Sequence, residues 1–184
     1  MLHATLHRLI TEDPARMKVL QLVRELHLSD CWVAAGFVRG RVWDHLHGRP
    51  SSPLPADVDV IWFDVEDTCA QRDAALEATL RAMDDSVNWS VKNQARMHAR
   101  NGDQPYASAT AAMRCWPETA TAVAVRLTAA DRIDIAAPLG LEDLFSLRVR
   151  PTPRFLAEKY PVYLERVRSK NWQRTWPRLD VQMQ

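Results

Sequence analysis

The stretch Asp57-Val-Asp-Val-Ile-Trp-Phe-Asp64 places two carboxylates at the start of an otherwise apolar run. Val, Ile, Trp and Phe favour a buried β-strand. Side chains alternate between the two faces of a strand, so Asp57 and Asp59 project from the same face, roughly 6.6 Å apart along the backbone. Two carboxylates about 5 Å apart repel each other by roughly 3 kcal/mol at an effective dielectric constant of about 20. The pair therefore requires either a cation or full solvation.

A divalent metal ion is the cation that suits this pair, because hard cations prefer carboxylate oxygens. We predict that Asp57 and Asp59 bind Mg²⁺ or Mn²⁺. The alternative is a strand end at which both carboxylates are solvated and bind no ion. The sequence that precedes the pair favours the metal.

A strand that turns into a helix comes before the acidic run. Cys31-Trp-Val-Ala-Ala35 predicts a short strand that ends at Gly36, and apolar residues then recur at helical spacing from Val38 to Leu46. The first turn of a helix presents free N–H groups and a positive dipole end to an anion. Arg39 lies in that turn, where its guanidinium can grip a phosphate. Otherwise Gly36 forms an ordinary tight turn and Arg39 is a solvated surface charge.

Two motifs in this order carry a family resemblance. Gly36-Phe-Val-Arg39 followed by Asp57-Val-Asp59 resembles the head of the polymerase-β-like nucleotidyltransferases, in particular the Gly-Gly-x-Val-Arg-Asp…Asp-x-Asp signature of tRNA nucleotidyltransferases and poly(A) polymerases. From about residue 29 to 179 the chain resembles a small bacterial nucleotidyltransferase family of unsettled substrate. Its similar stretches are Val91–His98, Ala137–Phe145 and Arg168–Pro177. The superfamily has a second small residue where this chain has Phe37, so phosphate contact must either rely more on backbone N–H groups and Arg39 or be weaker.

The resemblance implies an α/β (α+β) fold, with a mixed β-sheet flanked by helices and a C-terminal helical segment. It implies a metal-dependent nucleotidyltransferase that moves a nucleoside monophosphate from a nucleoside triphosphate to an acceptor and releases pyrophosphate. We expect a single domain over residues 1–184, with a core at about 29–140 and a C-terminal helical extension at 141–184. For the acceptor we expect a small molecule or a protein rather than RNA, because the chain lacks the long helical body of tRNA-modifying relatives.

The superfamily's third carboxylate stands between apolar residues on a later strand, and Asp134 is the candidate here. Ile133 and Ile135 would face the core, while Asp134 projects from the opposite face and completes the metal site. The alternating run Thr121–Thr128 predicts a preceding strand and hence a hairpin. A register that places Arg126 opposite Asp134 would instead make a cross-strand ion pair worth under about 1 kcal/mol. Both interpretations remain open at this point.

Hydrogen-bonding side chains are dense where the chain leaves a predicted strand at Val87–Val91. We predict that the base, the ribose or the acceptor is recognised by Asn93, Gln94, Arg96 and His98. The alternative is a polar loop in which the amide side chains satisfy neighbouring backbone groups. The resemblance favours a role in the site.

Charge is unevenly distributed although the net charge is +1. Residues 57–85 carry nine acids against two arginines, and residues 148–184 carry nine Arg or Lys against three acids. The acidic segment fits a metal site, and the basic segment can meet polyphosphate or nucleic acid. We favour a basic helix pair docked against the acidic core, because tryptophans interleave with its charges.

Several helix signals place the remaining elements. Asp13-Pro14 is an N-cap followed by proline and opens a helix. Thr68-Cys-Ala-Gln71 is a capping box for a helix that runs to about Met83, with Cys69, Leu76, Leu80 and Met83 facing inward. The stretch Phe155–Trp176 is predicted to be mostly helical despite Pro161.

The cysteines and the apolar runs indicate the class of protein. Cys31, Cys69 and Cys115 are scattered and odd in number, which fits reduced thiols rather than a disulfide framework. No apolar run is long enough to span a bilayer, and residues 1–8 are not a signal peptide. We therefore expect a cytoplasmic enzyme that does not bind a membrane.

Two other classes of function stay open. Phe37 and the second interpretation of Asp134 allow a non-catalytic nucleotide-binding or interaction module on the same fold. The resemblance to tRNA-modifying enzymes and the basic C-terminal segment allow an RNA-processing or RNA-binding factor. The sequence names neither the acceptor nor the nucleoside triphosphate, and it does not fix the oligomeric state.

Overall fold

A five-stranded mixed sheet forms the centre of the protein in the computed structural model, which describes residues 1–183. Its strands are β1 (Cys31–Ala34), β2 (Val58–Trp62), β3 (Trp89–Asn93), β4 (Ala124–Leu127) and β5 (Ile133–Ala136). The strand order is β3-β2-β1-β4-β5; β2 and β3 run parallel, and the other neighbours are antiparallel. The predicted fold class, a mixed sheet flanked by helices, is confirmed.

Four helices cover one face of this sheet. They are α1 (Leu2–Thr11), α2 (Pro14–Arg24), α3 (Gly36–Leu46) and α4 (Ala70–Met83). The strands meet them with valines that lie opposite one another in register and are almost completely buried: Val33, Val60, Val91 and Val125. Because side chains alternate along each strand, the residues between these valines project from the other face.

The other face carries two short helices, α5 (Met97–Asn101) and α6 (Ala109–Met113). The C-terminal part of the chain forms α7 (Glu142–Phe145), which contacts α3, then α8 (Tyr160–Lys170) and a parallel pair of strands, β6 (Arg148–Val149) and β7 (Asp180–Val181). Trp32 and Ala34 on β1 form a second apolar cluster with Met113 of α6. This face is only partly covered, which leaves room for a cavity.

Local sequence signals explain most helix ends. Asp13 caps α2 by accepting a hydrogen bond from the backbone N–H of Arg16 at 3.0 Å, and Pro14 is the first helical residue, as predicted. Pro161 lies in the first turn of α8, the one place in a helix that tolerates a missing N–H. The predicted helix from Phe155 to Trp176 is therefore divided into a short turn, α8 and a further 3₁₀ turn after Asn171.

Three expectations about α4 and β3 are wrong. Cys69 rather than Thr68 is the N-cap of α4, without a side-chain cap, and both Cys69 and Met83 are exposed rather than inward. Strand β3 begins at Trp89, two residues later than predicted, because Asp84 closes a turn by accepting from the backbone N–H of Ser86. Within residues 1–183 no helix has the length and apolar character needed to cross a membrane.

Candidate active site

A cavity of about 720 Å³ opens on the partly covered face of the sheet. Its floor is formed by side chains of β2 and β3 that alternate with the buried valines: Asp59, Ile61, Ser90 and Lys92. Its walls come from α5, from residues 115–121 and from residues 155–166, and they include Met97, Arg100, Asn101, Cys115, Trp116, Thr121, Phe155, Lys159, Val162 and Arg166. Segments from three distant parts of the chain therefore enclose one space.

Asp59 lines this cavity, and Asp57 is exposed one residue before β2. Burial, and next the charge of Asp57, raise the pKa of Asp59 above its usual range. Ser90, which lies opposite Asp59 on β3, opposes that rise. The two acids thus act on each other across a shared face, and a nearby cation would relieve the repulsion.

The pair fits a divalent cation that shares its remaining ligands with a substrate. Magnesium commonly takes one or two protein carboxylates together with substrate phosphates and water. Among the described residues, no three His, Cys, Asp or Glu side chains converge to form a complete protein site. Asp57 and Asp59 would therefore hold the ion together with phosphate oxygens.

Asp134 lies elsewhere on the same face of the sheet. It is opposite Arg126 in the register of β4 and β5, and the guanidinium of Arg126 contacts its carboxylate at 2.9 Å. The residue of β5 in line with Asp59 is Ala136. Strands β2 and β5 are three spacings apart, about 14 Å. The structure does not bring Asp134 to Asp57 and Asp59. A metal ion at this site would therefore have only these two aspartates as protein carboxylate ligands.

The turn between β1 and α3 is made by Ala35, not by Gly36. Ala35 has φ 55° and ψ −119°, whereas Gly36 is an ordinary first residue of α3. Ala35 lines the cavity, so the first turn of this 11-residue helix begins at its wall. Phe37 is completely buried in the core on the helical side of the sheet. The bulky residue therefore does not occupy the space where a phosphate would lie.

Arg39 is buried rather than open to a ligand. Its guanidinium carbon lies 4.9 Å and 4.5 Å from the ring centroids of Trp43 and Trp172, and Nη1 donates to Thr121 Oγ1 at 2.6 Å. Burial lowers the pKa of Arg39 to about 10, although the charge of Glu118 opposes the shift, so the side chain stays protonated at neutral pH. Arg39 reaches the cavity only through Thr121, which lines it.

The predicted recognition residues divide between structure and site. Gln94 lines the cavity. Asn93 is completely buried and bridges backbone groups: its Oδ1 accepts from the N–H of Ala95 at 2.9 Å, and its Nδ2 donates to two carbonyls. Arg96 pairs with buried Asp73. His98 contacts the carbonyl of Ala95 at 2.9 Å and packs edge-on against Tyr106, outside the cavity lining.

The cations of the cavity are the residues that the sequence analysis missed. They are Lys92 on β3, Arg100 on α5, Lys159 just before α8 and Arg166 on α8. The alternation of Trp89 and Val91 with Ser90 and Lys92 was a local signal for two of the floor residues. No local signal marked the residues of α8, because they follow Asp59 by about a hundred positions.

Ion pairs attach the basic C-terminal segment to the rest of the protein. They include Arg150–Asp143 at 2.6 Å, Lys159–Asp103 at 2.9 Å and Arg166–Glu118 at 2.6 Å. The segment is docked, as favoured above, but these acidic partners lie outside residues 57–85. Of the acids in that segment, Asp59 lines the cavity, Asp73 pairs with Arg96 and Asp84 pairs with Lys18.

The chain is similar to a family of known proteins and to several solved structures. A family model described as a nucleotidyltransferase matches residues 21–181. An NMR structure described as a CCA-adding enzyme head domain is 36% identical with a TM-score of 0.85, covering 97% of this chain and 95% of that one. The Thermotoga maritima CCA-adding enzyme complexed with tRNA is 15% identical (TM-score 0.59), covering 95% of this chain and 42% of that one. A CCA-adding enzyme in complex with CTP is 15% identical (TM-score 0.61), with the same two coverages.

These two CCA-adding enzymes share the fold with this chain, which spans less than half of their length. Among curated proteins, none matches the chain significantly. The family model, by contrast, matches most of the chain, and the head-domain structure is similar over nearly the whole length of both proteins. The chain therefore belongs to this nucleotidyltransferase family.

Proposed function

We propose that the protein moves a nucleoside monophosphate from a nucleoside triphosphate to an acceptor, with release of pyrophosphate, in a reaction that requires Mg²⁺ or Mn²⁺. One observation carries the proposal. Asp59, beside Asp57, lies in the floor of a cavity of about 720 Å³ whose other polar walls carry Lys92, Lys159 and Arg166. A bound metal–triphosphate complex requires carboxylates that hold the metal ion and, next to them, positively charged side chains that hold the phosphates.

The chain's own residues supply positioning and charge. Asp57 and Asp59 would hold the cation against the triphosphate, and the first turn of α3, next to Ala35, would present its free N–H groups to a phosphate. Bound there, the cation would lower the pKa of an acceptor hydroxyl and neutralise charge on the departing pyrophosphate. Alignment of the acceptor with the α-phosphorus supplies much of the remaining acceleration.

The apolar part of the cavity fits a nucleobase. Met97, Trp116 and Phe155 line it, and the side-chain amides of Gln94 and Asn101 lie among them. Apolar and aromatic walls with a few polar groups are typical of small-molecule sites. The fold neighbours solved with CTP and with ATP support a nucleoside triphosphate as the ligand.

A second candidate is a module that binds metal and triphosphate without transfer. It is favoured by the two-carboxylate site, because Asp134 is paired with Arg126 and does not join Asp57 and Asp59. For the acceptor we keep a small molecule or a protein ahead of RNA, since much of the basic C-terminal segment is engaged in internal ion pairs.

The cavity as the triphosphate site can be tested with the protein's own thiols. Cys115 lines the cavity, whereas Cys69 is exposed at the start of α4 and outside its lining. Alkylation by N-ethylmaleimide, followed by mass spectrometry, should show that Mg²⁺ with a nucleoside triphosphate slows modification of Cys115 and leaves Cys69 unchanged. Equal rates at Cys115 with and without nucleotide would place the ligand elsewhere.

Transfer itself requires a search for the product. The protein is incubated with Mg²⁺, each α-labelled nucleoside triphosphate in turn, and an extract that supplies metabolites and proteins as acceptors. We expect one labelled small molecule or protein that forms only with the active protein, together with pyrophosphate. Binding of triphosphate without any pyrophosphate release would favour the non-catalytic module, and a labelled RNA would contradict the proposed acceptor class.

A further inference from the structure

Arg166 on α8 lines the cavity together with Asp59 and Thr121. Its side chain is 33% exposed, so a ligand in the cavity can reach it. A ligand held at Asp59 therefore comes under the influence of this guanidinium.

Glu118 fixes Arg166 at one end only. Glu118 is completely buried, and its Oε1 accepts a hydrogen bond from Arg166 Nε at 2.6 Å. Within the described part of the chain, the terminal nitrogens of Arg166 have no hydrogen-bond partner. A guanidinium anchored through Nε still presents its remaining N–H groups, which match phosphate oxygens in a fork.

Glu118 shares its charge between two guanidinium groups. Arg39 and Arg166 both interact with this single carboxylate, and Arg39 is buried between two indole rings. Asp59 and Asp57 also act on Arg39, so the positive charge of this cluster lies close to the carboxylates that would hold the cation. A triphosphate whose cation is held at Asp57 and Asp59 can therefore place further phosphate oxygens against Arg166.

We propose that Arg166, held in place by Glu118, binds the terminal phosphates of the nucleoside triphosphate. Arg166 is then a substrate-binding residue, and Glu118 is a positioning residue that acts through it. The proposal depends on the proposed function, because that function brings a triphosphate to Asp59. It gives α8 a part in polyphosphate binding in addition to its part in packing.

Inorganic tripolyphosphate with Mg²⁺ is the probe, because it carries the phosphates without the nucleoside. Isothermal titration should show that Arg166→Ala weakens its binding by about tenfold to a hundredfold, the range that a charge-assisted hydrogen bond implies. Binding of a nucleoside monophosphate should change much less. Arg166→Lys should retain part of the affinity, since the charge remains and the fork is lost.

Arg168→Ala is the matched control, because Arg168 lies on the same helix, is exposed and does not line the cavity. It should bind tripolyphosphate like the wild type. Equal affinity of Arg166→Ala and Arg168→Ala overturns the proposal, and so does a wild-type protein that does not bind tripolyphosphate. Arg166-dependent binding without transfer would support the proposal while the proposed transfer fails. If Arg166→Ala transfers nucleotides like the wild type, the proposed function is supported and the role proposed for Arg166 fails.

The positioning role of Glu118 has its own readout. Glu118→Gln keeps the size of the side chain and removes its charge, so it should weaken tripolyphosphate binding less than Arg166→Ala does. The double variant should bind like Arg166→Ala alone, because Glu118 contributes to phosphate binding through Arg166. Additive losses in the double variant, at unchanged melting temperature, would contradict this coupling.

Discussion

At the scale of single residues, Ala35 determines how α3 meets the cavity. Its positive φ of 55° is a conformation that L-residues rarely adopt and that costs of order 1–3 kcal/mol. Glycine adopts such a conformation without the clash of a Cβ atom. The turn that directs the helix start toward the cavity is therefore made at the expense of stability.

Replacing Ala35 with glycine should consequently stabilise the protein. We expect Ala35→Gly to raise the free energy of unfolding by about 1 kcal/mol, since relief of the Cβ clash exceeds the entropic cost of glycine. Chemical denaturation measures this change. Ala34→Gly is the control, because Ala34 is an ordinary residue of β1 and should be destabilised by the same substitution. Similar losses in both variants would show that the turn is not strained.

Asp59 makes the stability of the metal-free protein depend on pH, and the direction of that dependence follows from its raised pKa. Burial raises its pKa on folding, so its contribution to stability is present below the unfolded value of about 3.9 and is lost as pH rises through the raised pKa. Asp59→Asn removes that loss. In a chelator, its melting temperature should equal or exceed that of the wild type at neutral pH, and the difference should shrink toward about pH 4. A variant that is less stable at neutral pH would contradict this sign.

At the scale of elements, the hairpin of β4 and β5 is held by the cross-strand pair of Arg126 and Asp134. Both side chains are about one-third exposed, at 35% and 37%. We expect Arg126→Ala and Asp134→Asn each to cost under about 1 kcal/mol of stability and to leave transfer nearly unchanged. Thermal unfolding and turnover of the two variants measured side by side decide this. Collapse of turnover in Asp134→Asn alone would return Asp134 to the catalytic set.

Elements with strong local signals could be predicted from the sequence. The cap at Asp13-Pro14 and the register that places Arg126 opposite Asp134 are local, since each is fixed by neighbours in the chain. The start of β3 was displaced because a turn around Asp84, made by side-chain contacts, decided it instead of the apolar pattern. The shared face of Asp57 and Asp59 followed directly from strand alternation.

The other residues of the site were harder to predict from the sequence than its two carboxylates. Arg39 follows closely after a glycine, and Asn93 lies at the end of a strand. A polar residue at such a position can bind a ligand or stabilise the backbone, and the local sequence does not distinguish the two roles. Tertiary contacts decide between these roles: Trp172 covers Arg39, and the backbone at Asp64 and Asp67 binds Asn93. These contacts join positions too far apart in sequence for a local pattern to show them.

At the scale of the whole molecule, the cavity exists because the C-terminal segment returns over the sheet. Ion pairs to Asp103 and Glu118 and the packing of Trp172 and Trp176 against Trp43 hold α8 and the following turn in place. Lys159 and Arg166 thereby face the sheet at Asp59, a residue that precedes them by about a hundred positions in the sequence. The same residues that anchor the segment provide the positive wall opposite Asp59.

The central claim is that the cavity around Asp59 transfers nucleotides with a metal held by Asp57 and Asp59. The most direct test is pyrophosphate release with Mg²⁺, nucleoside triphosphate and acceptor extract, measured for Asp57→Asn, Asp59→Asn and the wild type. The control is Asp85→Asn, which changes an exposed acid of the same acidic segment outside the cavity. We predict that the first two variants fold and lose activity by at least about a hundredfold, whereas Asp85→Asn matches the wild type. Wild-type pyrophosphate release in a folded Asp57→Asn or Asp59→Asn variant would contradict the account.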